Sequence, residues 1–317
     1  MKAIFMGTPE FSVPALQKLI DMGVQVEGVI TQPDRAKGRG KQMQFSPVKE
    51  LAVKYDLPVF QPQRLRKDEE LIRKMREIGP DVIVVVAFGQ ILPQEVLDIP
   101  RLGCVNVHAS LLPKYRGAAP IQHVILDGEE KTGVTTMLMD AGLDTGDMLL
   151  KAEIPINPKE TADSLHDKLA ALGVELLEKT LIGLERGEII PQKQDDSLTG
   201  AYASMISKED GEIDFTQSAV SIERRVRAMT SWPGAYTWLD GKMLKIWECE
   251  VCTDQTDGAA CGEVTGSRDG LLVQTGEGSL LITSLQLPGK RRMSTQDFLR
   301  GHAVTEGTLL GRNMETN

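Results

Sequence analysis

Ala3-Ile-Phe-Met-Gly7, Ser12-Val-Pro-Ala-Leu-Gln-Lys-Leu-Ile-Asp-Met22 and Val24-Gln-Val-Glu-Gly-Val-Ile-Thr31 follow one another at the start of the chain. The first is a short apolar run that reads as a buried strand. The second reads as a helix, with Ser12 placed as N-cap and Gly23 as its stop. The third reads as the next strand. Strand, turn, helix and strand in about thirty residues make the repeating unit of a doubly wound parallel sheet. The turn after the first strand, Gly7-Thr-Pro-Glu10, lacks G-x-G-x-x-G, and Pro9 has no N–H to offer a pyrophosphate. That disfavours a nucleotide-dependent dehydrogenase.

Outward from this unit the same alternation continues. Pro47 to Tyr55 and Asp68 to Ile78 carry helical spacing, the second ending at Gly79-Pro80. Val82 to Ala87 is a continuous apolar run, the pattern of a strand covered on both faces. Cys104 to Val107, Gly133 to Met139 and Met148 to Ile154 read as further strands, with a helix over Ala119 to Leu126. Thr161 to Arg186 reads as a long helix with Leu165, Leu169, Leu172, Leu176 and Leu177 on one stripe. Gly187 to Thr199 is polar and irregular. Beyond Ser207 the pattern changes to short strands separated by turns: Ile213 to Phe215, Ala235 to Leu239, Met243 to Cys252, Gly262 to Gly266, Leu271 to Thr275 and Leu280 to Leu287. One helix, Ile222 to Met229, interrupts them. Such spacing predicts a small closed β-barrel. The fold expected is an α/β, doubly wound, Rossmann-like parallel sheet over residues 1–189, a linker over 190–206 and a small, OB-like C-terminal β-barrel over 207–317.

The 317 residues fit two domains, and 41% hydrophobic with 26% charged residues is the composition of an ordinary globular protein. A formal charge of −9 argues against wholesale coating of nucleic acid. The N-terminus enters a strand directly, which predicts no signal peptide. The longest apolar run, Val82 to Phe88, is too short to span a bilayer. Four cysteines in a chain of this length do not make a disulfide framework and suit a reducing cytoplasm. Cys249-Glu-Val-Cys252 sits in an apparent strand, where residues three apart face opposite ways, so zinc is disfavoured.

Two segments carry chemistry. In Cys104-Val-Asn-Val-His108, Asn106 and His108 share one face of a strand that stops at Ser110-Leu-Leu-Pro113. A polar pair at the carboxyl end of a buried strand is the usual place of an α/β active site. The ordinary alternative is that both merely satisfy backbone groups. The second segment, Thr31 to Phe45, has no periodicity and reads as a mobile loop. Arg35, Lys37, Arg39 and Lys41 against Asp34 give it a local charge of +3. A solvated loop and a finger that closes on a polyanion both fit.

Asn106-Val-His108-Ala-Ser110-Leu-Leu-Pro113-x-x-Arg116-Gly117, with Asp140-x-Gly-x-Asp144-x-Gly146, resembles the folate-dependent formyltransferases. Gly7-Thr-Pro-x-Phe11, Thr31-Gln-Pro-Asp-Arg35, Arg116-Gly-Ala-Ala-Pro-Ile-Gln122, Asp210-Gly-x-Ile-Asp-Phe215 and Trp232-Pro-Gly-Ala235 extend the resemblance over nearly the whole chain. They point to the branch that acts on charged initiator tRNA. The resemblance implies 10-formyltetrahydrofolate as donor, the α-amino group of methionyl-initiator tRNA as acceptor, and no metal. It assigns the chemistry to Asn106, His108 and Asp144, and the folate contact to Ser110, Leu111, Leu112 and Pro113. It gives the loop with Lys37, Arg39 and Lys41 to tRNA, with Arg39 matching the key arginine. An amide and an imidazolium can both donate to the oxygen on which charge grows when an amine attacks a formyl carbon. A nearby carboxylate favours and orients the imidazolium.

The barrel should add tRNA backbone contacts. From Ser207 onward, however, twelve Lys/Arg stand against sixteen Asp/Glu, so its basic residues must be focused. Arg224-Arg-x-Arg227 and Lys290-Arg-Arg292 are the candidates. The alternatives are a formyltransferase for a small amine, such as glycinamide ribonucleotide or an aminosugar nucleotide, and a non-catalytic RNA-binding protein.

Overall fold

The computed structural model describes residues 1–37, 42–253, 256–267 and 269–311. They form two compact units. One holds Met1–Pro120, Lys131–Pro155 and His166–Ala203; the other holds Ile121–Glu130, Ile156–Leu165 and the chain from Ser204.

The chain begins with β1 (Lys2–Gly7), α1 (Val13–Asp21), β2 (Gln25–Ile30), β3 (Arg35–Lys37), β4 (Gln42–Gln44), α2 (Pro47–Lys54), β5 (Val59–Phe60), α3 (Glu69–Ile78), β6 (Val82–Val86), α4 (Gln94–Leu97) and β7 (Cys104–His108). It continues through α5 (Pro120–Leu126), β8 (Lys131–Leu138), β9 (Met148–Pro155) and α6 (Ala162–Glu185). Helix α3 shows how the sequence sets these elements. The Asp68 carboxylate accepts the Leu71 N–H at 3.0 Å, Glu69 and Glu70 complement the positive end, and Gly79 closes the helix at φ 58°. Its buried Leu71, Ile72 and Met75 pack into one core with Ile4, Met6, Ile30, Ile83 and Val85. At α1, Ser12 stands at the N-cap position but does not cap. Its hydroxyl donates to Val86 O at 2.6 Å and ties the helix start to the sheet.

The seven-stranded sheet has the order β5-β2-β1-β6-β7-β8-β9. Strands β5, β2, β1, β6 and β7 are parallel, as the opening unit predicts. The parallel run stops at β7, because β8 and β9 run antiparallel. Only residues 139–147 join β8 to β9, fewer than the dozen or so a parallel crossover needs. Phe5 lies in central β1 and is completely buried. Phe5→Ala should cost about 3–5 kcal/mol of stability, read as a lower urea midpoint at unchanged slope.

The 31–45 segment, expected as an irregular loop, contains a short antiparallel hairpin: Arg35 pairs with Gln44, Ala36 with Met43 and Lys37 with Gln42. No period-two apolar signal in Arg35-Ala-Lys37 or Gln42-Met-Gln44 announces it. Arg39 and Lys41 lie outside the described residues.

The second unit contains α7 (Ala219–Ala228), β10 (Ala235–Leu239), β11 (Lys242–Cys252), β12 (Val264–Gly266), β13 (Leu271–Gln274), β14 (Ser279–Gln286), β15 (Met293–Ser294) and α8 (Thr295–Gly301). The antiparallel order is β10-β11-β14-β13-β12, with β15 beside β14. This curled sheet leaves β12 and β10 as edges. The segment 307–311 covers them: Val264 N donates to Thr308 O at 2.8 Å, Leu310 N to Gly262 O at 2.8 Å and Gly311 N to Trp238 O at 3.0 Å. Ile213 to Phe215, expected as a strand, forms none; the isolated bridge to Tyr236 belongs to Glu212, with Ile213 N donating to Tyr236 O at 2.8 Å. Among the described residues no helix is long and apolar enough to cross a membrane.

Candidate active site

The pleat of β7 sends Asn106 and His108 to one face of the sheet. On the other face, α6 lies so close that a Cβ added at Gly173 would stand 3.0 Å from Val107. The antiparallel half of the sheet then aligns a row. His108 pairs with Thr135 on β8, Thr135 with Lys151 on β9, and Asn106 with Met137.

Thr135 and Lys151 hold the turn after β7. The Thr135 hydroxyl donates to Ser110 O at 2.7 Å and accepts the Leu112 N–H at 3.1 Å; the Lys151 ammonium donates to Leu112 O. Partial burial lowers the Lys151 pKa. The Ser110 hydroxyl donates to Lys114 O at 2.8 Å. These bonds occupy much of the polar capacity of Ser110 and Leu112. The Leu112 side chain is buried against Met137 and Met148. Leu111 and Pro113 keep partly open apolar surfaces. The turn therefore offers a flat heterocycle a braced, mostly apolar edge.

His108 is 6% exposed and Asn106 8%. His108 Nε2 lies 2.9 Å from Tyr115 O; a carbonyl only accepts, so this nitrogen carries the hydrogen. Nδ1 faces Asp144 Oδ2 at 3.7 Å, a distance for charge attraction. A proton at Nδ1 therefore yields an imidazolium beside a carboxylate. Among the described residues the Asn106 amide has no hydrogen-bond partner, so its N–H groups are available to a ligand. Asp144, distant in sequence, is thus brought beside the His108 ring, whose face of β7 Asn106 shares.

Asp144 takes φ 54°, a left-handed conformation that a short polar side chain tolerates. Its Oδ2 accepts the Gly117 N–H at 2.8 Å. The main chain of its loop is held from residues 190–203, the stretch expected as linker. Gln194 Nε2 donates to Asp144 O and to Gly146 O, both at 2.8 Å. Arg116 donates to Gln194 Oε1 through Nε at 2.9 Å and Nη2 at 2.8 Å, and to Asp196 at 2.9 Å. Ala203 O accepts from Ala118 N at 2.8 Å, and the Tyr202 ring lies against the Gly117 backbone. Burial, then the charge of Asp144, raises the Tyr202 pKa. No pattern in the sequence singled out Lys151, Gln194 or Tyr202. Thr135 alone had a signal, since it shares the face of Met137 in a strand already recognised.

The constellation is a side-chain amide, an imidazole and a carboxylate beside a braced turn. The formyl transferase family model matches residues 1–181, and the model of the formyl transferase C-terminal domain matches residues 205–303. The chain belongs to the formyl transferase family. Two curated relatives of this formyltransferase bear the name methionyl-tRNA formyltransferase. That of Geobacter sulfurreducens is 53% identical over 98% of this chain and 97% of its own. That of Caldanaerobacter subterraneus subsp. tengcongensis is 50% identical over 98% and 100%. Among solved structures, the N-formyltransferase of Helicobacter canadensis in complex with folinic acid and dTDP-3-aminofucose superposes with TM-score 0.68. It is 21% identical and covers 89% of this chain and 98% of its own. HypX of Aquifex aeolicus in complex with tetrahydrofolic acid gives TM-score 0.60 at 20% identity, over 97% of this chain and 50% of its own. At these identities both report the fold.

The remaining basic candidates of this formyltransferase divide. Lys37 ends β3, and the base of its hairpin is anchored where the Lys49 ammonium beside Asp34 lowers that carboxyl's pKa. Arg225 donates to Asp210 O at 2.6 Å. Arg227 donates to Glu223 at 2.8 Å and to Glu160 O at 2.9 Å. Both are tied internally rather than forming a solvated helix face. Arg292 lies over the Trp247 ring, 5.3 Å from its centroid, and Lys290 and Arg291 are exposed.

Proposed function

We propose that this formyltransferase moves the formyl group of 10-formyltetrahydrofolate to the α-amino group of methionine carried by initiator tRNA. The observation that carries the reading is the convergence of Asn106, His108 and Asp144 on one face beside the Ser110–Pro113 turn. The identity of about half of all positions with the named relatives, over nearly full length, supports the acceptor. The neutral amine attacks the formyl carbon, and negative charge gathers on its oxygen. The Asn106 amide donates to that oxygen. The His108 imidazole, oriented by its Nε2–H bond to Tyr115 O, takes at Nδ1 the proton lost by the amine, where Asp144 stabilises the imidazolium, and returns it to the folate nitrogen as the carbon–nitrogen bond breaks. Ser110, Leu111, Leu112 and Pro113 support the donor. Lys37, Arg39 and Lys41 serve the acceptor end of the tRNA.

A small amine as acceptor is the second reading, and the fold gives it one point. The sugar-directed relative from Helicobacter canadensis aligns over 98% of its length, so two domains alone do not single out tRNA. The deciding experiment supplies 10-formyltetrahydrofolate with methionyl-initiator tRNA, or with aminosugar nucleotides or glycinamide ribonucleotide, and identifies the product. Formylmethionyl-tRNA upholds the proposal; formylation of small amines alone overturns it. Arg39→Ala should leave the donor KM unchanged and lower kcat/KM for the tRNA. The salt dependence should lose about one unit of slope, as for one phosphate contact removed. Unchanged kinetics with tRNA would refute the role of Arg39.

A further inference from the structure

Gln194 is 5% exposed and all its polar capacity is committed in one direction. The two bonds from Arg116 fix Oε1 as the acceptor end of the amide. Both hydrogens on Nε2 must therefore point the other way, and there they meet Asp144 O and Gly146 O. The next residue along from Arg116, Gly117, gives its N–H to the Asp144 carboxylate. The main chain of the 140–147 loop and the carboxylate it carries are thus held by adjacent residues of one segment, with Gln194 as the only described side chain spanning the two loop carbonyls. Ala203 fixes the same segment from the other side, accepting from Ala118 N and donating to Arg116 O, each at 2.8 Å.

We infer that Gln194 is a positioning residue for formyl transfer, acting through Asp144 rather than on either substrate. The inference rests on the proposed role of Asp144 as partner of the His108 ring. Glu at this position preserves shape and the pairing with Arg116. It replaces the two donors by an oxygen facing two carbonyl oxygens, so the loop is pushed off its place while the rest of the unit stays packed. Displacement of a catalytic group by about 1 Å costs on the order of 10²-fold in rate.

The test is a double-mutant cycle on the full chain, with kcat and both KM values measured at saturating co-substrate. Gln194→Glu and Gln194→Met are made in the native background and again with Asp144→Ala. Both should fold with a thermal midpoint close to native; Gln194→Met is the uncharged control should the glutamate variant fold poorly. The expected result is a fall of about 10²-fold in kcat at nearly constant KM, and no further fall when Asp144 is already alanine. Full activity of the Gln194 variants overturns the inference, as does an equal loss in both backgrounds, the mark of a role independent of Asp144. Full activity of Asp144→Ala by itself would instead overturn the role of Asp144 on which the inference stands.

Discussion

His108→Ala is expected to lower kcat for formyl transfer by about 10²–10⁴ and Asn106→Ala by about 10²–10³, with little change in either KM. The two side chains share a face at the end of β7, and the Asn106 amide keeps its hydrogen-bonding capacity unspent within the described residues. In the proposed mechanism its partner is an oxygen that becomes negative only as the amine adds, so the loss falls on the chemical step and not on binding. His108 has more to lose, because in the proposed mechanism it also carries the proton between the two nitrogens. The double variant should fall short of the sum of the single losses, as groups acting on one transition state do. Steady-state kinetics with both substrates varied decides it. Full kcat in Asn106→Ala would remove the amide from the mechanism.

Gly146→Ala should be nearly as damaging without touching a reacting group. A Cβ there would stand 1.7 Å from Leu138 O and 3.3 Å from Asp140 N, so the backbone itself has to move. The shift falls on the loop that carries Asp144 and breaks the bond from Gln194 to Gly146 O. A loss of about 10²-fold in kcat follows from misplacing the carboxylate, with about 1–3 kcal/mol of stability lost to overpacking. Denaturant unfolding and kcat, measured on one preparation, check both halves. Native values of both would show that the loop tolerates the displacement.

The parallel half of the fold was legible because each element announces itself within a short window. Val82–Val86 is apolar on both faces, and α3 carries its own start and stop residues. The turn to antiparallel pairing at β8 was not legible, since residues 109–130, which join β7 to β8, are long enough for a parallel crossover as well and strand direction is not written in the strand's residues. The paired strands 35–37 and 42–44 escaped for want of an apolar pattern in their sequence. In the site, Asn106 and His108 could be paired by alternation alone. Asp144 came only through resemblance, because a loop residue distant in sequence has no periodicity to place it. Gln194 looked like the filler of a polar connector; its importance comes from two carbonyls that no sequence pattern announces. Arg225 and Arg227 show the converse, where a run of charge left a ligand and a solvated face both open and the structure gives internal partners.

The brace on Asp144 also bears on how this protein can be taken apart. A fragment cut after residue 189 would keep all seven strands of the large sheet and the whole Asn106–Pro113 stretch, yet would leave the carboxylate loop without its outer fastening. Chimeras exchanging the two halves between relatives should place the junction beyond Ala203, so that loop and fastening are inherited from the same parent.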